Sequence, residues 1–183
     1  LQRSIEQKIG QLFFIGISGP DLDSPTTRLL DDISPGGICL FARNIKSASQ
    51  TRELLDGIRS SLPFEPFLSI DQEGGRVDRL KRIISPMPAA NQFKNVQDVA
   101  SFARINAEVL RLLGFNMNFA PVVDVIDEVR ESATNGLYSR AFGRSAEDVI
   151  TMAGRFLNEL VAGGIVGCIK HFPGLGGSVV DSH

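Results

Sequence analysis

The sequence predicts an α/β fold built around a parallel sheet, and three observations favour it. Apolar segments rich in Val, Ile, Leu and Phe alternate with segments that carry the 3.6-residue repeat of amphipathic helices. Gly and Pro residues separate these segments. Polar residues cluster just after the apolar segments, at the strand ends where parallel sheets form their ligand sites. An open doubly wound sheet and an arc of a (β/α)8 barrel both fit this pattern.

Five apolar segments are predicted to be the strands of this sheet. The first is a continuous apolar run that ends at a Gly-Pro pair, and its bulky residues predict a strand buried on both faces. Pro and Gly residues precede the second and third segments, and Gly residues end the helices before the fourth and fifth. In chain order the predicted strands are Gln11–Ser18, Gly37–Phe41, Phe67–Ile70, Phe115–Ala120 and Ile165–Ile169.

Four segments between these strands are predicted to be helices. The second carries leucines and an isoleucine at helical spacing, and the third ends at Gly114, a residue suited to a left-handed C-terminal cap. The fourth begins with Ser145 and Asp148, which fit a capping box. The predicted helices are Thr26–Asp32, a helix from an N-cap at Ser47 or Ser49 to about Ser60, about Val96–Leu113, and Ser145–Gly163.

The composition is that of one ordinary soluble domain: 183 residues, a formal net charge of −2 and 43% hydrophobic residues. The 19 Lys and Arg residues face 21 Asp and Glu residues, so no basic excess supports binding to nucleic acid. No apolar run approaches the roughly 18–20 residues that a membrane span needs. Cys39 and Cys168 lie in apolar runs and are predicted to be small buried hydrophobes, without a disulfide or metal role.

The segment Ser69–Val77, SIDQEGGRV, is the first candidate for chemistry. Asp71 follows a predicted strand and precedes the Gly74-Gly75 turn and an arginine. A carboxylate at a strand end accepts hydrogen bonds from two neighbouring hydroxyls, as in the binding of a vicinal diol. The alternative is that Asp71 caps a loop and the glycines only form a tight turn.

The second candidate is the segment Lys170–Gly177, KHFPGLGG, directly after the fifth predicted strand. It places an ammonium group and an imidazole side by side at the end of the sheet that carries ligands. Its glycines match neither of the common nucleotide-binding patterns, so a phosphate site is a weak interpretation. His171 taken alone equally fits a core histidine bonded to the backbone.

The third candidate is the run Asp181-Ser182-His183. Residues i and i+2 of an extended segment point to the same side, so Asp181 can hold the ring of His183 and raise its basicity. A histidine of this kind suits a group that gives and later takes a proton near neutral pH. Ser182 lacks the G-x-S-x-G turn of a serine nucleophile. A metal site from His171, Asp181 and His183 is a further alternative, without helical ligand spacing to support it.

Together these segments resemble glycoside hydrolase family 3. The matching runs are IDQEGGRV at 70–77, APVVDV at 120–125, SRAFG at 139–143 and KHFPGxGxxxxDSH at 170–183. Within that family they are most similar to the bacterial β-N-acetylglucosaminidases (β-N-acetylhexosaminidases) of cell-wall recycling. The resemblance runs in order through nearly the whole chain.

The resemblance implies a (β/α)8 TIM-type barrel, with residues 1–183 forming its N-terminal five or so βα units. It also implies a retaining mechanism without a metal or cofactor. The general acid/base would be the histidine of an Asp-His pair, here Asp181 and His183. The sugar-binding positions of the family fall on Asp71, Arg79, Arg140, Lys170 and His171.

Two departures from the family pattern affect these expectations. Leu175 stands where the family often has a second histidine. The nucleophile expected from the resemblance is an aspartate in a segment beyond His183. Asp124 and Asp127 follow the fourth predicted strand, but no motif identifies either of them as a replacement nucleophile. Residues 1–183 are therefore expected to be part of a longer enzyme and to be inactive alone.

The expected substrate is an oligosaccharide with terminal β-linked N-acetylglucosamine, from cell-wall muropeptides or chitin-type chains. A β-glucosidase, a glycoside phosphorylase of the same family and a non-catalytic sugar-binding fragment are the alternatives. The resemblance favours the bacterial cytoplasm. Because residue 1 is Leu, a secreted or lipoprotein form stays open, as does the oligomeric state.

Overall fold

A computed structural model of the chain describes residues 4–131 and 136–175. Within these residues there are seven strands, which in chain order are β1 (Phe14–Gly16), β2 (Gly37–Leu40), β3 (Phe67–Ile70), β4 (Gln72–Gly74), β5 (Val77–Asp78), β6 (Met117–Asn118) and β7 (Val166–Gly167). Its α-helices are α1 (Ile5–Gly10), α2 (Ser24–Ile33), α3 (Ala48–Ser61), α4 (Val96–Leu113), α5 (Glu128–Glu131) and α6 (Ala146–Ala162). Short 3-10 helices occupy Ala42–Asn44, Ala90–Gln92 and Leu137–Arg140.

The main sheet has five strands in the order β1-β2-β3-β6-β7, and every neighbouring pair is parallel. The predicted α/β class and its parallel sheet are confirmed. The spatial order of these strands repeats their order in the sequence, whereas a doubly wound sheet reverses direction at a switch point. The sheet is therefore an arc of the barrel type. Strands β4 and β5, which lie between β3 and β6 in the sequence, form a separate antiparallel hairpin.

The first predicted strand, Gln11–Ser18, was wrong in both length and burial. Residues 5–10 are helix α1, whose Ser4 N-cap and Gln7 form a capping box, and a turn leads from it into β1. Leu12 is 81% exposed and Phe14 is 43% exposed. The physical reason is position, because β1 lies at the edge of the sheet and, among the described residues, only β2 pairs with it.

The helix predictions agree closely with the structure because capping residues set the starting points. Ser47, Asn95 and Ser145 each accept a hydrogen bond from the backbone N–H three residues later, which begins α3, α4 and α6. Helix α2 begins earlier than predicted because Asp23 caps it and Pro25 fits its first turn. Gly114 ends α4 with a φ of 99°, as its type predicts.

The core lies between the main sheet and the helices α3, α4 and α6. The predicted apolar stripe of α3 is buried there, and Phe93, Phe102, Phe142 and Phe156 form a chain of ring contacts with centroids 4.9–6.4 Å apart.

Cys39 and Cys168 are free thiols and only half-buried, so the prediction that they are buried hydrophobes was wrong in degree. None of the helices in the described ranges combines the length and the hydropathy that crossing a bilayer requires.

Candidate functional site

The candidate site lies at the carboxyl ends of β3, β6 and β7. Asp71 directly follows β3, and Lys170 follows β7. Beyond the strands, the backbones after β6 and β7 stay paired: Lys170 N–H donates to Pro121 O at 3.1 Å and Val123 N–H donates to Lys170 O at 2.7 Å. This pairing holds the segments on both sides of the site in one register.

A cavity of about 240 Å³ opens at this end of the sheet. It is lined by Asp71, Glu73, Val77, Arg79, Phe119, Arg140, Lys170 and His171. All five positions predicted to bind sugar therefore surround one cavity, although they come from four separate segments of the chain. Their role in binding stays a prediction.

The ammonium group of Lys170 lies between two carboxylates. Its Nζ donates to Asp71 Oδ1 at 2.8 Å and also contacts Glu73 Oε1. Asp71 Oδ2 faces the guanidinium of Arg79 at 3.7 Å. Opposite charges thus hold Asp71 on two sides while its carboxylate still borders the cavity.

Glu73 is the most deeply buried of the carboxylates that line the cavity. Arg140 donates to it through Nε at 2.8 Å and through Nη2 at 3.0 Å, and both side chains are only 5% exposed. The sequence analysis missed Glu73. A signal was present, because Asp71 and Glu73 are two residues apart at the end of a strand. In an extended chain, residues i and i+2 point to the same side, so both carboxylates could be expected on one side of the strand end.

The β4–β5 hairpin positions Arg79. The buried Gln72 side chain donates to Asp78 Oδ1 at 2.8 Å and accepts the backbone N–H of Arg79 at 3.0 Å. Gly74 turns the hairpin with a φ of +93°, which favours glycine. The guanidinium carbon of Arg79 lies 6.0 Å from the ring centre of Phe41. Within the described chain, Arg79 Nε is buried and has no hydrogen-bond partner.

His171 connects the cavity to a carboxylate behind it. Its Nδ1 lies 2.7 Å from Asp124 Oδ2, and its Nε2 lies 3.3 Å from Arg140 Nη2. The other oxygen of Asp124 accepts the backbone N–H of Leu175 at 2.5 Å. Asp124 lies in the APVVDV run that carries the family resemblance, but no role was assigned to it, and its contact with His171, 47 residues away, could not be read from the sequence.

The cavity combines two carboxylates with three cationic groups, which is a donor and acceptor set suited to a polar ligand rich in hydroxyl groups. Among residues 4–131 and 136–175, no group of three His, Cys, Asp or Glu side chains could hold a metal ion. Asp181 and His183, predicted to be the acid/base pair, lie outside the described residues, as does Ser182. Their role stays a prediction.

The sequence relatives of the chain include proteins named beta-hexosaminidase. The chain is 35% identical over 173 residues to a protein named beta-hexosaminidase from Pseudomonas aeruginosa, covering 92% of this chain and 51% of that protein. It is 33% identical to the beta-hexosaminidase of Methylococcus capsulatus, covering 90% of this chain and 50% of the relative. The chain thus spans about half the length of the curated relatives it matches.

Solved structures with a similar fold include a named beta-N-acetylglucosaminidase and a NagZ protein. The glycoside hydrolase family 3 beta-N-acetylglucosaminidase from Paenibacillus sp. str. FPU-7 superposes with a TM-score of 0.91 at 30% identity, over 100% of this chain and 35% of that one. Native NagZ from Neisseria gonorrhoeae superposes with a TM-score of 0.83 at 29% identity, over 93% of this chain and 52% of that one.

The family match extends over almost all of the sequence. The family described as "Glycosyl hydrolase family 3 N terminal domain" matches residues 4–183. This range includes the strands of the parallel sheet and every residue that lines the charged cavity. The chain therefore belongs to glycosyl hydrolase family 3, and its match lies in the N-terminal domain of that family.

Proposed function

We propose that the whole protein is a retaining glycosidase that releases terminal β-linked N-acetylglucosamine from cell-wall or chitin-type oligosaccharides. The observation that carries the proposal is the single cavity formed by Asp71, Arg79, Arg140, Lys170 and His171 at the carboxyl end of the sheet. The names of the relatives support it, and one NagZ structure is a complex with N-trifluoroacetyl-D-glucosamine. Residues 1–183 would be the N-terminal part of a single catalytic barrel.

The charges of the cavity support the binding of a sugar ring. Asp71 borders the cavity with a carboxylate that accepts hydrogen bonds from ring hydroxyls. Lys170 and Arg79 supply donors, and Arg79 Nε is a buried donor without a partner in the described chain. Several charge-assisted hydrogen bonds from one rigid group of side chains fix a ring in one orientation and lower the entropic cost of the reaction.

In the proposed mechanism, His183 protonates the leaving oxygen while Asp181 orients its ring. An aspartate from a segment after His183 attacks the anomeric carbon and forms the glycosyl-enzyme. His183 then accepts a proton from the water that releases the sugar. In this mechanism, carboxylates near the ring would stabilise the positive charge that develops on it in the transition state. The cytoplasmic location expected from the resemblance stays a prediction.

The test uses the full-length protein and the 4-nitrophenyl β-glycosides of N-acetylglucosamine and glucose. The wild type should prefer the N-acetylglucosamine substrate, and His183→Ala should lower kcat by about 10²–10⁴-fold, the usual contribution of general acid–base catalysis. The affinity for free N-acetylglucosamine should stay nearly unchanged. Unchanged turnover in His183→Ala would reject the acid/base role, and preference for the glucoside would reject the substrate.

The same assay distinguishes hydrolysis from phosphate attack. We expect N-acetylglucosamine as the product in both the presence and the absence of inorganic phosphate. Formation of the sugar 1-phosphate, at a rate that rises with phosphate concentration, would identify a phosphorylase instead.

A further inference from the structure

Asp124 stands behind the cavity and does not line it. Its side chain is only 1% exposed. One carboxylate oxygen lies 2.7 Å from His171 Nδ1, and the other accepts the Leu175 backbone N–H at 2.5 Å. A single buried carboxylate therefore connects the imidazole of a cavity residue to the backbone four positions further along the chain.

The groups on both sides of His171 determine which ring nitrogen carries the proton. Arg140 Nη2 is a permanent donor and lies 3.3 Å from His171 Nε2, so that nitrogen must present its lone pair. Asp124 presents an acceptor oxygen to Nδ1, so Nδ1 must carry the proton. Only the neutral Nδ1–H tautomer satisfies both contacts.

We propose that Asp124 is a positioning residue that holds His171 in the Nδ1–H tautomer and ties the backbone at Leu175 to the site. The proposal deepens the proposed function, because it gives His171 a fixed orientation at the sugar cavity. It also completes a line of contacts that runs from Asp124 through His171, Arg140, Glu73 and Lys170 to Asp71.

The two contacts of Asp124 explain why an amide cannot replace the carboxylate. If the amide oxygen introduced by Asp124→Asn accepted the Leu175 N–H, the new NH2 group would face His171 Nδ1 and force the Nε2–H tautomer against Arg140. If the amide were reversed, its NH2 group would face the Leu175 N–H. Either orientation places two donors together at a buried site.

The first test reads the tautomer directly by NMR. The full-length protein is labelled with ¹⁵N-histidine, its two-bond ¹H–¹⁵N correlations are recorded, and the His171 signals are assigned with His171→Gln. The wild type should show a protonated Nδ1 and a bare Nε2 at His171. Asp124→Asn and Asp124→Ala should lose this pattern, and Asp127→Asn, a substitution of an acid in the same segment outside the cavity, should keep it.

Two NMR outcomes would overturn the proposal. One is a wild-type His171 with its proton on Nε2, a result that does not depend on whether the Asp124 variants fold. The other is a folded Asp124→Asn or Asp124→Ala protein with the wild-type pattern. Neither outcome depends on whether the protein cleaves N-acetylglucosamine, so the proposal and the proposed function can fail separately.

The second test is the division of the effect between kcat and KM. For Asp124→Asn we expect kcat/KM to fall by about tenfold to a hundredfold, with KM raised, because His171 no longer faces the sugar correctly. A variant that merely folds less well would lose kcat in proportion to its active fraction and keep its KM. An unchanged KM in Asp124→Asn would therefore contradict the positioning role, and Asp127→Asn should match the wild type.

Discussion

Arg140 and Glu73, 67 residues apart in the sequence, form a two-point ion pair with donor–acceptor distances of 2.8 and 3.0 Å. Both side chains are almost fully buried. Lys170 contacts the same carboxylate, so one negative group faces two cations at the floor of the cavity. Removing this carboxylate takes one counter-charge away from both cations.

Glu73→Gln should therefore be strongly destabilising. We expect the free energy of unfolding to fall by about 3 kcal/mol, because Arg140 and Lys170 lose their shared counter-charge. Urea unfolding of the full-length protein measures the change. The control is Glu65→Gln, which removes an ion pair of similar length from a side chain that is 62% exposed, and it should change stability little. Equal effects of the two substitutions would contradict the structural role of Glu73.

Asp71→Asn should weaken sugar binding more than it weakens the fold. The carboxylate of Asp71 borders the cavity, and an amide accepts hydroxyl hydrogen bonds less strongly than a carboxylate does. We expect the Kd for N-acetylglucosamine, measured by calorimetry on the full-length protein, to rise about tenfold or more. Asp32→Asn, at an exposed acid on α2, is the matched control and should bind like the wild type. Wild-type affinity in Asp71→Asn would remove Asp71 from the binding site.

Two glycine substitutions should have opposite effects on stability. Gly74 has a φ of +93°, and a Cβ added there would lie 2.2 Å from Pro88 O, so Gly74→Ala should cost about 2 kcal/mol or more. Gly154 lies inside α6 with nothing within 4 Å of an added Cβ, so Gly154→Ala should stabilise by about 0.5–1 kcal/mol. Thermal unfolding compares both variants with the wild type. A tolerated Gly74→Ala would show that the hairpin turn adapts.

The thiol of Cys39 should react slowly in the folded protein. Burial, and then the nearby Asp71 carboxylate, raises the pKa of this thiol above its ordinary value. Because the thiolate is the reactive form, less of it is present at pH 8, and the rate should rise only at higher pH. Alkylation by iodoacetamide, followed by mass spectrometry of the Cys39 peptide, measures the rate. The same peptide in urea is the control, and equal rates in the two states would contradict the shift.

The local pattern of residues was sufficient to predict most of the elements. Ser47, Asn95 and Ser145 begin helices where N-capping side chains are expected, and Gly114 ends one where glycine is favoured. These signals act over three or four residues, so they are visible in the sequence. The hairpin of β4 and β5 was missed because its strands are only three and two residues long.

The sequence predicted most of the residues of the site but few of the contacts between them. Asp71, Arg79, Arg140, Lys170 and His171 were expected from the family resemblance, and the structure brings them around one cavity. The contact of Glu73 with Arg140 spans 67 residues, and that of Asp124 with His171 spans 47. Pairings over such separations depend on the register of the strands, which short-range patterns do not contain.

By itself, the sequence determined the alternation of strands and helices, the ends of α3, α4 and α6, the parallel character of the sheet and the family. The local patterns left a doubly wound sheet and an arc of a barrel open, and the family resemblance implied the barrel. The strand order of the tertiary structure confirmed it, because that choice depends on which strands become neighbours. The tertiary structure also showed that, among the described residues, β1 pairs only with β2 and is partly exposed. An apolar segment is buried only where other parts of the chain pack against it, and among the described residues β1 has a neighbouring strand on one side only.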